Sequence, residues 1–304
     1  MTTLRRFRRP LAWLVALVAL AFLARVLLDS ASELQRYPLT FDPLTLAVAF
    51  IALVVTLFCA VPLWQWSLCW LGAPLSFTVA ARIWFLSNFV RYVPGNIWQP
   101  VTMVVLAKAR GVDEVRTATS VALNWILSNV SALVVAGMYW ALDPSSPTRE
   151  RLWALPLIVG VTLAVLHPAV FGRALRFALR VTGGAETNIS LSFTRLLSLL
   201  LLHGVTWIFY GVSFAIFWSA FYPLDGRDVP RLTGAFAGAY AIGFLSLLTP
   251  SGLGVREAAL VFFLNSAYPV AVVTVIALLS RVWLISGELL CTGITLVITR
   301  GRHA

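Results

Sequence analysis

The sequence predicts an all-α fold: a polytopic bundle of membrane helices in which two helical segments are broken. The 304 residues are 60% hydrophobic and only 12% charged, and the mean hydropathy is +0.89, which lies outside the range of soluble domains. Six apolar runs of about 20 residues are long enough to cross a bilayer core about 30 Å thick. Two further apolar runs contain proline and glycine, which interrupt helices.

The predicted full spans follow one another with short loops between them. They cover residues 11–28, 44–68, 117–142, 152–171, 196–222 and 270–298. Four arginines precede the first span, so a signal peptide is the alternative there, but the many later spans favour a first transmembrane helix. Residues 1–304 then form a single transmembrane domain.

The two broken segments cover residues 76–109 and 232–267. Their breaks contain Pro94, Gly95, Pro250, Gly252 and Gly254. Irregular backbone at membrane depth is tolerated only where protein buries it or where it lines a wet cavity. Broken helices in corresponding halves of a membrane protein are typical of transport sites.

The distribution of lysine and arginine predicts that each broken segment is a re-entrant hairpin. If both segments dip and return, most loop cations lie on one side; if both cross, the two sides are nearly equal, contrary to the positive-inside rule. The chain is therefore expected to be a multi-pass protein of the cell (cytoplasmic) membrane, with both termini cytoplasmic. The halves, about 11–142 and 152–298, then form an inverted repeat, with about six full spans plus two hairpins.

Charged side chains inside the apolar runs indicate a candidate site. The runs contain or adjoin Arg25, Arg82, Arg91, Arg256 and Arg281, but only two acids, Glu257 and Glu288. Snorkelling to the membrane surface accounts for Arg25, and Arg82 is open between snorkelling and binding. A surplus of guanidinium groups beside helix N-termini favours a phosphate-like anion, and a structural charge network is the alternative.

Polar residues on two full spans suggest that the bundle encloses a lined interior. Ser120, Asn124, Ser128 and Ser131 share one helix face, and His203, Trp207 and Tyr210 share another. Hydrogen bonding between helices is the alternative for these residues. Gly234 and Gly238 form a G-x-x-x-G pair, which predicts close helix packing without chemistry.

The sequence contains no signature of enzymatic chemistry. No P-loop, G-x-S-x-G or H-E-x-x-H motif is present, and the three histidines are scattered. We therefore expect no catalytic residues, no metal and no cofactor. The net charge of +11 comes largely from arginines in loops between spans, so nucleic acid is not an expected partner.

The residues of the two breaks resemble a flippase-like integral membrane family that is related to the transmembrane region of lysylphosphatidylglycerol synthases. The matching residues are Asn88, Arg91-Tyr92-Val93-Pro94-Gly95-Asn96-Ile97-Trp98, Pro250-Ser251-Gly252-Leu253-Gly254-Val255-Arg256-Glu257, and the pair Arg281 and Glu288. The resemblance covers nearly the whole length. It implies that an anionic or aminoacylated lipid headgroup moves between leaflets.

Together these observations predict a lipid flippase whose partner is a membrane phospholipid or a polyprenyl-phosphate lipid. Arg91, Arg256 and Arg281 would contact the phosphate, and Glu257 and Glu288 would hold the arginines and take up protons. Tyr92, Asn96 and Trp98 would shape the headgroup pocket. The alternatives are an intramembrane lipid-modifying transferase and a non-transporting membrane partner subunit, and a homo-oligomer is left open.

Overall fold

The computed structural model describes residues 25, 36–37, 39–90, 98–142, 154–167, 169–170, 172–173, 176, 192–246 and 250–300. These residues are mainly helical and include no β-strand, which agrees with the predicted fold class. The helices with defined bounds are α1 (Pro43–Trp70), α2 (Phe77–Val90), α3 (Trp98–Lys108), α4 (Glu114–Leu142), α5 (Ala154–Leu166), α6 (Phe193–Ser219), α7 (Val229–Leu245), α8 (Val255–Leu264) and α9 (Val270–Arg300).

Four of these helices are long and apolar enough to cross a membrane. They are α1, α4, α6 and α9, and each coincides with a predicted full span. The predicted span at 11–28 lies outside the described residues apart from Arg25, which is helical and exposed. Helix α5 has 13 residues and covers only part of the predicted span at 152–171.

The long helices place apolar side chains on the outside of the bundle and many polar ones inside. On α1, Leu44, Val48, Ile51 and Val55 are exposed at spacings of three and four residues. On the same helix Thr56 is buried, and its hydroxyl donates to the Ala52 carbonyl at 2.7 Å. An apolar surface with hydrogen-bonded polar groups inside is what a lipid environment requires.

A side-chain cap fixes where α1 begins. Asp42 accepts a hydrogen bond from the Leu44 amide at 3.0 Å, and Pro43 occupies the first helical turn. The hydrogen bond from the Thr45 side chain lowers the pKa of Asp42. The cap places the start of α1 at the surface of the bundle, where Asp42 is exposed.

Each broken segment contains a pair of helices (a hairpin) that pack on each other, and residues that flank each pair lie close together. In the first hairpin, α2 packs on α3, and the Gly72 carbonyl before it accepts from Arg116 after it at 2.7 Å. In the second, α7 packs on α8. The ring of Tyr268, which follows α8, lies 4.7 Å from that of Trp218 and 6.2 Å from that of Tyr222, both of which precede α7.

The two hairpins enter the bundle from opposite ends, because α1 and α6 are antiparallel neighbours. The Asp42 amide at the start of α1 donates to the Ala220 carbonyl after α6 at 3.0 Å. At the other end, the Arg195 guanidinium near the start of α6 lies 5.7 Å from the ring of Trp70. The first hairpin therefore opens at the Trp70 end and the second at the Ala220 end.

The helix contacts of one half have counterparts in the other. Helix α4 packs on α3 and on α7, and α9 packs correspondingly on α8 and on α2. Helices α4 and α9 thus each contact the hairpin of their own half and the hairpin of the other half. Close packing at Gly234 and Gly238 is confirmed: a β-carbon there would lie 2.6 Å from Tyr139 and 3.1 Å from Phe263, respectively.

Candidate functional site

The second break is built from residues with positive φ. Ser251, Gly252 and Gly254 have φ values of 51°, 68° and 81°. A β-carbon at Gly252 would lie 2.8 Å from the backbone of Gly243 on α7, so only glycine allows this approach. The break is therefore held against α7, and Pro250 begins the short 3-10 turn that also contains Ser251 and Gly252.

Glu257 joins the start of α8 to the middle of α9. One carboxylate oxygen accepts from the Gly254 amide at 2.6 Å, as in one half of a capping box. The other oxygen lies 3.3 Å from Nη1 of Arg281, and Nη2 of Arg281 donates to the Ser251 carbonyl at 3.0 Å. Glu257 is 2% exposed and Arg281 is 9% exposed, so this ion pair is buried.

Arg256 lies beside this pair and is also buried. Its guanidinium carbon is 4.7 Å from the centre of the Phe236 ring, a distance at which a cation–π interaction forms. The β-carbon of Arg256 packs closely against Gly243. A β-carbon at residue 243 would lie only 3.0 Å from it. The glycines of the break and of α7 thus position Arg256.

Two adjoining cavities of about 60 and 90 Å³ lie next to these side chains. Both are lined by Gln99, Trp125, Tyr240, Phe244, Arg256 and Leu284. Arg281, Ser251 and Gly252 line the smaller cavity, and Glu288 lines the larger one. Cavities of this size with polar walls have room for water or for a small polar group.

The first hairpin contributes to the same cavities. Nε2 of Gln99 on α3 donates to Oδ1 of Asn88 on α2 at 2.7 Å, and both residues are buried. Gln99 lines both cavities and Asn88 lines the larger one. Side chains of the two hairpins therefore meet around one interior space.

Another part of the cavity wall consists of uncharged polar and aromatic residues of α4 and α6. In the larger cavity these are Asn124, Trp125, Ser128, Asn129, His203, Thr206, Trp207 and Tyr210. Nε1 of Trp207 donates to the Ser128 carbonyl at 2.9 Å and so joins the two helices. Ser120 instead accepts from Trp64 at 2.9 Å, which supports a packing role for that residue.

The structure brings together most of the predicted site residues that it describes. Asn88, Gly252, Arg256, Arg281 and Glu288 line the cavities, and Glu257 and Gly254 lie directly behind them. Two others lie apart: Trp98 begins α3 without lining either cavity, and Arg82 donates to Thr299 near the end of α9 at 3.2 Å. Five lie outside the described residues: Arg91, Tyr92, Pro94, Gly95 and Asn96.

The buried charges of the described site are balanced. Two guanidinium groups, Arg256 and Arg281, lie near two carboxylates, Glu257 and Glu288. The positive surplus expected from the sequence therefore depends on Arg91, which the structure does not describe. Within the described part of the chain, no group of three or more histidine, cysteine and acidic side chains is placed to hold a metal ion.

Several cavity residues were not predicted from the sequence. The sequence could have identified Gln99, because an amide within an apolar half-helix needs a buried partner. Tyr240 and Phe244 carried no such signal, since aromatic residues in an apolar run are ordinary packing residues.

Comparison with known proteins assigns the chain to no family. No protein-family model matches it, and no curated protein matches it significantly.

Proposed function

We propose that this protein is a lipid flippase that moves an anionic phospholipid headgroup, or the phosphate of a polyprenyl lipid, between membrane leaflets. The observation that carries the proposal is the pair of buried guanidinium groups, Arg256 and Arg281, beside a cavity at a helix break. Intramembrane charge is costly and is commonly retained for function. Guanidinium groups are well suited to phosphate oxygens.

In the proposed orientation, both hairpins are re-entrant and meet near the middle of the membrane. Adjacent hairpin ends at Gly72 and Arg116, and at Tyr222 and Tyr268, support re-entry. Asn124, His203 and Arg281 lie about ten residues into their helices, which is about 15 Å along the axis. That depth is close to the midplane of a hydrocarbon core about 30 Å thick.

The headgroup would enter the cavity while its acyl chains stay in the bilayer. Because the described charges are balanced, a bound phosphate would add uncompensated negative charge in a medium of low dielectric constant. Proton uptake by Glu288, which lines the same cavity as Arg256, would offset that charge. Glu257 would keep Arg281 in position through the ion pair.

Lipid flipping in reconstituted liposomes tests this proposal. A phosphatidic acid with a fluorescent acyl chain should become accessible to an impermeant quencher from both leaflets. Arg256→Ala should slow flipping at least about tenfold, because hydrogen bonds to charged groups contribute about 1.5–3 kcal/mol. Arg227→Ala, which removes an exposed arginine, should leave the rate unchanged.

Two results would contradict the proposal. Protein-free and protein-containing liposomes that behave alike would exclude flipping of these lipids. Mass analysis that shows conversion of the lipid to a new species would favour the transferase alternative.

A further inference from the structure

The uncharged end of the larger cavity contains hydrogen-bonding atoms that no described residue satisfies. Oδ1 of Asn124, Oδ1 of Asn129 and Nε2 of His203 are buried without a partner among the described residues. Asn124 is 4% exposed and His203 is 5% exposed, and all three side chains line the cavity. They come from two helices, α4 and α6, and they converge on one space because all three line the same cavity.

Such atoms are costly unless a ligand or water binds them. A buried donor or acceptor without a partner costs about 1–3 kcal/mol. Aromatic side chains surround these atoms: the rings of Trp207 and Tyr240 are 4.7 Å apart, and those of Trp125 and Phe244 are 5.2 Å apart. Three polar atoms within aromatic walls have the character of a specific binding site.

The two asparagine oxygens accept hydrogen bonds, so they require donors. Hydroxyl groups and ammonium groups are both donors. The third atom, Nε2 of His203, is an imidazole nitrogen, which donates or accepts according to its tautomer. An ammonium group only donates, whereas a hydroxyl group donates and accepts, so hydroxyl groups match all three atoms.

We propose that Asn124, Asn129 and His203 form a subsite for the hydroxyl groups of a polyol headgroup, such as glycerol or inositol, whose phosphate lies towards Arg256. This inference rests on the proposed function and narrows the substrate to a hydroxyl-bearing phospholipid. Arg256 lines the same cavity as the three subsite residues, so one headgroup can contact both ends.

Binding and flipping of four lipids with identical acyl chains test the inference. The lipids are phosphatidylglycerol, phosphatidylinositol, phosphatidic acid and phosphatidylethanolamine. The wild-type protein in detergent micelles should bind the first two about fivefold more tightly than phosphatidic acid, the size expected of one or two hydrogen bonds. Phosphatidylethanolamine, which carries an ammonium group, should bind more weakly than phosphatidylglycerol.

Asparagine variants then locate the selectivity. Asn124→Leu and, separately, Asn129→Leu should lower the ratio of phosphatidylglycerol affinity to phosphatidic acid affinity from about five to about one. Asn265→Leu, at an exposed position after α8, is the matched control and should retain selectivity. If one variant fails to fold, the other variant and the order of lipid affinities of the wild-type protein still test the hydroxyl subsite.

The outcomes separate this inference from the proposed function. Equal binding of phosphatidylglycerol and phosphatidic acid, or tighter binding of phosphatidylethanolamine, would overturn the hydroxyl subsite even if flipping occurs. If free glycerol phosphate competed as strongly as the lipid, the subsite would recognise a free phosphate ester, and the inference of a lipid ligand would be wrong. Selective binding without flipping would support the subsite and contradict the proposed function.

Discussion

Gly252 holds the second break against α7, and its neighbours depend on that contact. Its φ of 68° lies in the left-handed region, and the backbone of Gly243 occupies the place of a β-carbon. The carbonyl of the preceding residue, Ser251, accepts from Arg281. A change at Gly252 therefore moves an acceptor of a cavity-lining arginine.

Gly252→Ala is expected to destabilise the protein more than Gly111→Ala. Gly111 has φ 79° but has no neighbour within 4 Å of a β-carbon, so alanine there adds only left-handed strain, about 1–2 kcal/mol. Alanine at 252 adds a backbone clash, which costs about 1–3 kcal/mol more. Thermal unfolding of both variants in the same detergent measures the difference, and equal melting temperatures would contradict the described approach of Gly252 to Gly243.

At the scale of single residues, the positions of backbone breaks were more predictable from the sequence than the partners of charged side chains. Pro250, Gly252 and Gly254 were predictable because their backbone chemistry is local. The structure pairs Arg281 with Glu257, which lies on a different helix, and spacing along one helix does not predict such a pair. That pairing depends on how α8 packs on α9, which local periodicity does not encode.

At the scale of elements, Glu257 connects α8 and α9 through a buried ion pair and also caps α8. Glu257→Gln keeps a side-chain oxygen for the Gly254 amide but leaves the Arg281 charge without its carboxylate. We expect a loss of about 3–5 kcal/mol in stability, because breaking a buried pair leaves an uncompensated charge. Unfolding in detergent measures the loss.

Two further variants make this test specific. Glu114→Gln removes the carboxylate of the exposed Lys108–Glu114 pair and should cost less than about 1 kcal/mol. Combining Glu257→Gln with Arg281→Met should be less destabilising than the sum of the single changes, because both halves of the pair are removed. Strict additivity would mean that the two side chains do not interact.

The helices themselves were largely predictable, because long apolar runs bounded by charged or breaking residues identify a span directly. Helix α4 was expected at 117–142 and covers Glu114–Leu142. The bounds of α1, α6 and α9 are similarly close to expectation. Helix α5, Ala154–Leu166, lies within the predicted span at 152–171, of which residues 152, 153, 168 and 171 lie outside the described part of the chain.

At the scale of the whole molecule, the chain joins two halves whose hairpins open at opposite ends. The charge distribution of the sequence predicts that both hairpins are re-entrant, and their orientation in the membrane stays a prediction. Contacts at Gly72 with Arg116, and at Tyr222 with Tyr268, place hairpin ends side by side in the bundle. The interior cavity was less predictable, because side chains from eight separate helices line its larger part.

Cysteine labelling tests how the bundle lies in the membrane. After replacement of Cys59, Cys69 and Cys291, single cysteines at Ser76, Arg110, Arg227 and Asn265 occupy exposed positions that flank the two hairpins. An impermeant maleimide applied to intact cells should label Arg227→Cys and Asn265→Cys, and it should label Ser76→Cys and Arg110→Cys only after the membrane is opened. A hairpin that crossed the membrane would split its pair between the two conditions. In that case Arg256 and Gln99 would lie on crossing helices, and the re-entrant pathway for a headgroup would have no physical basis.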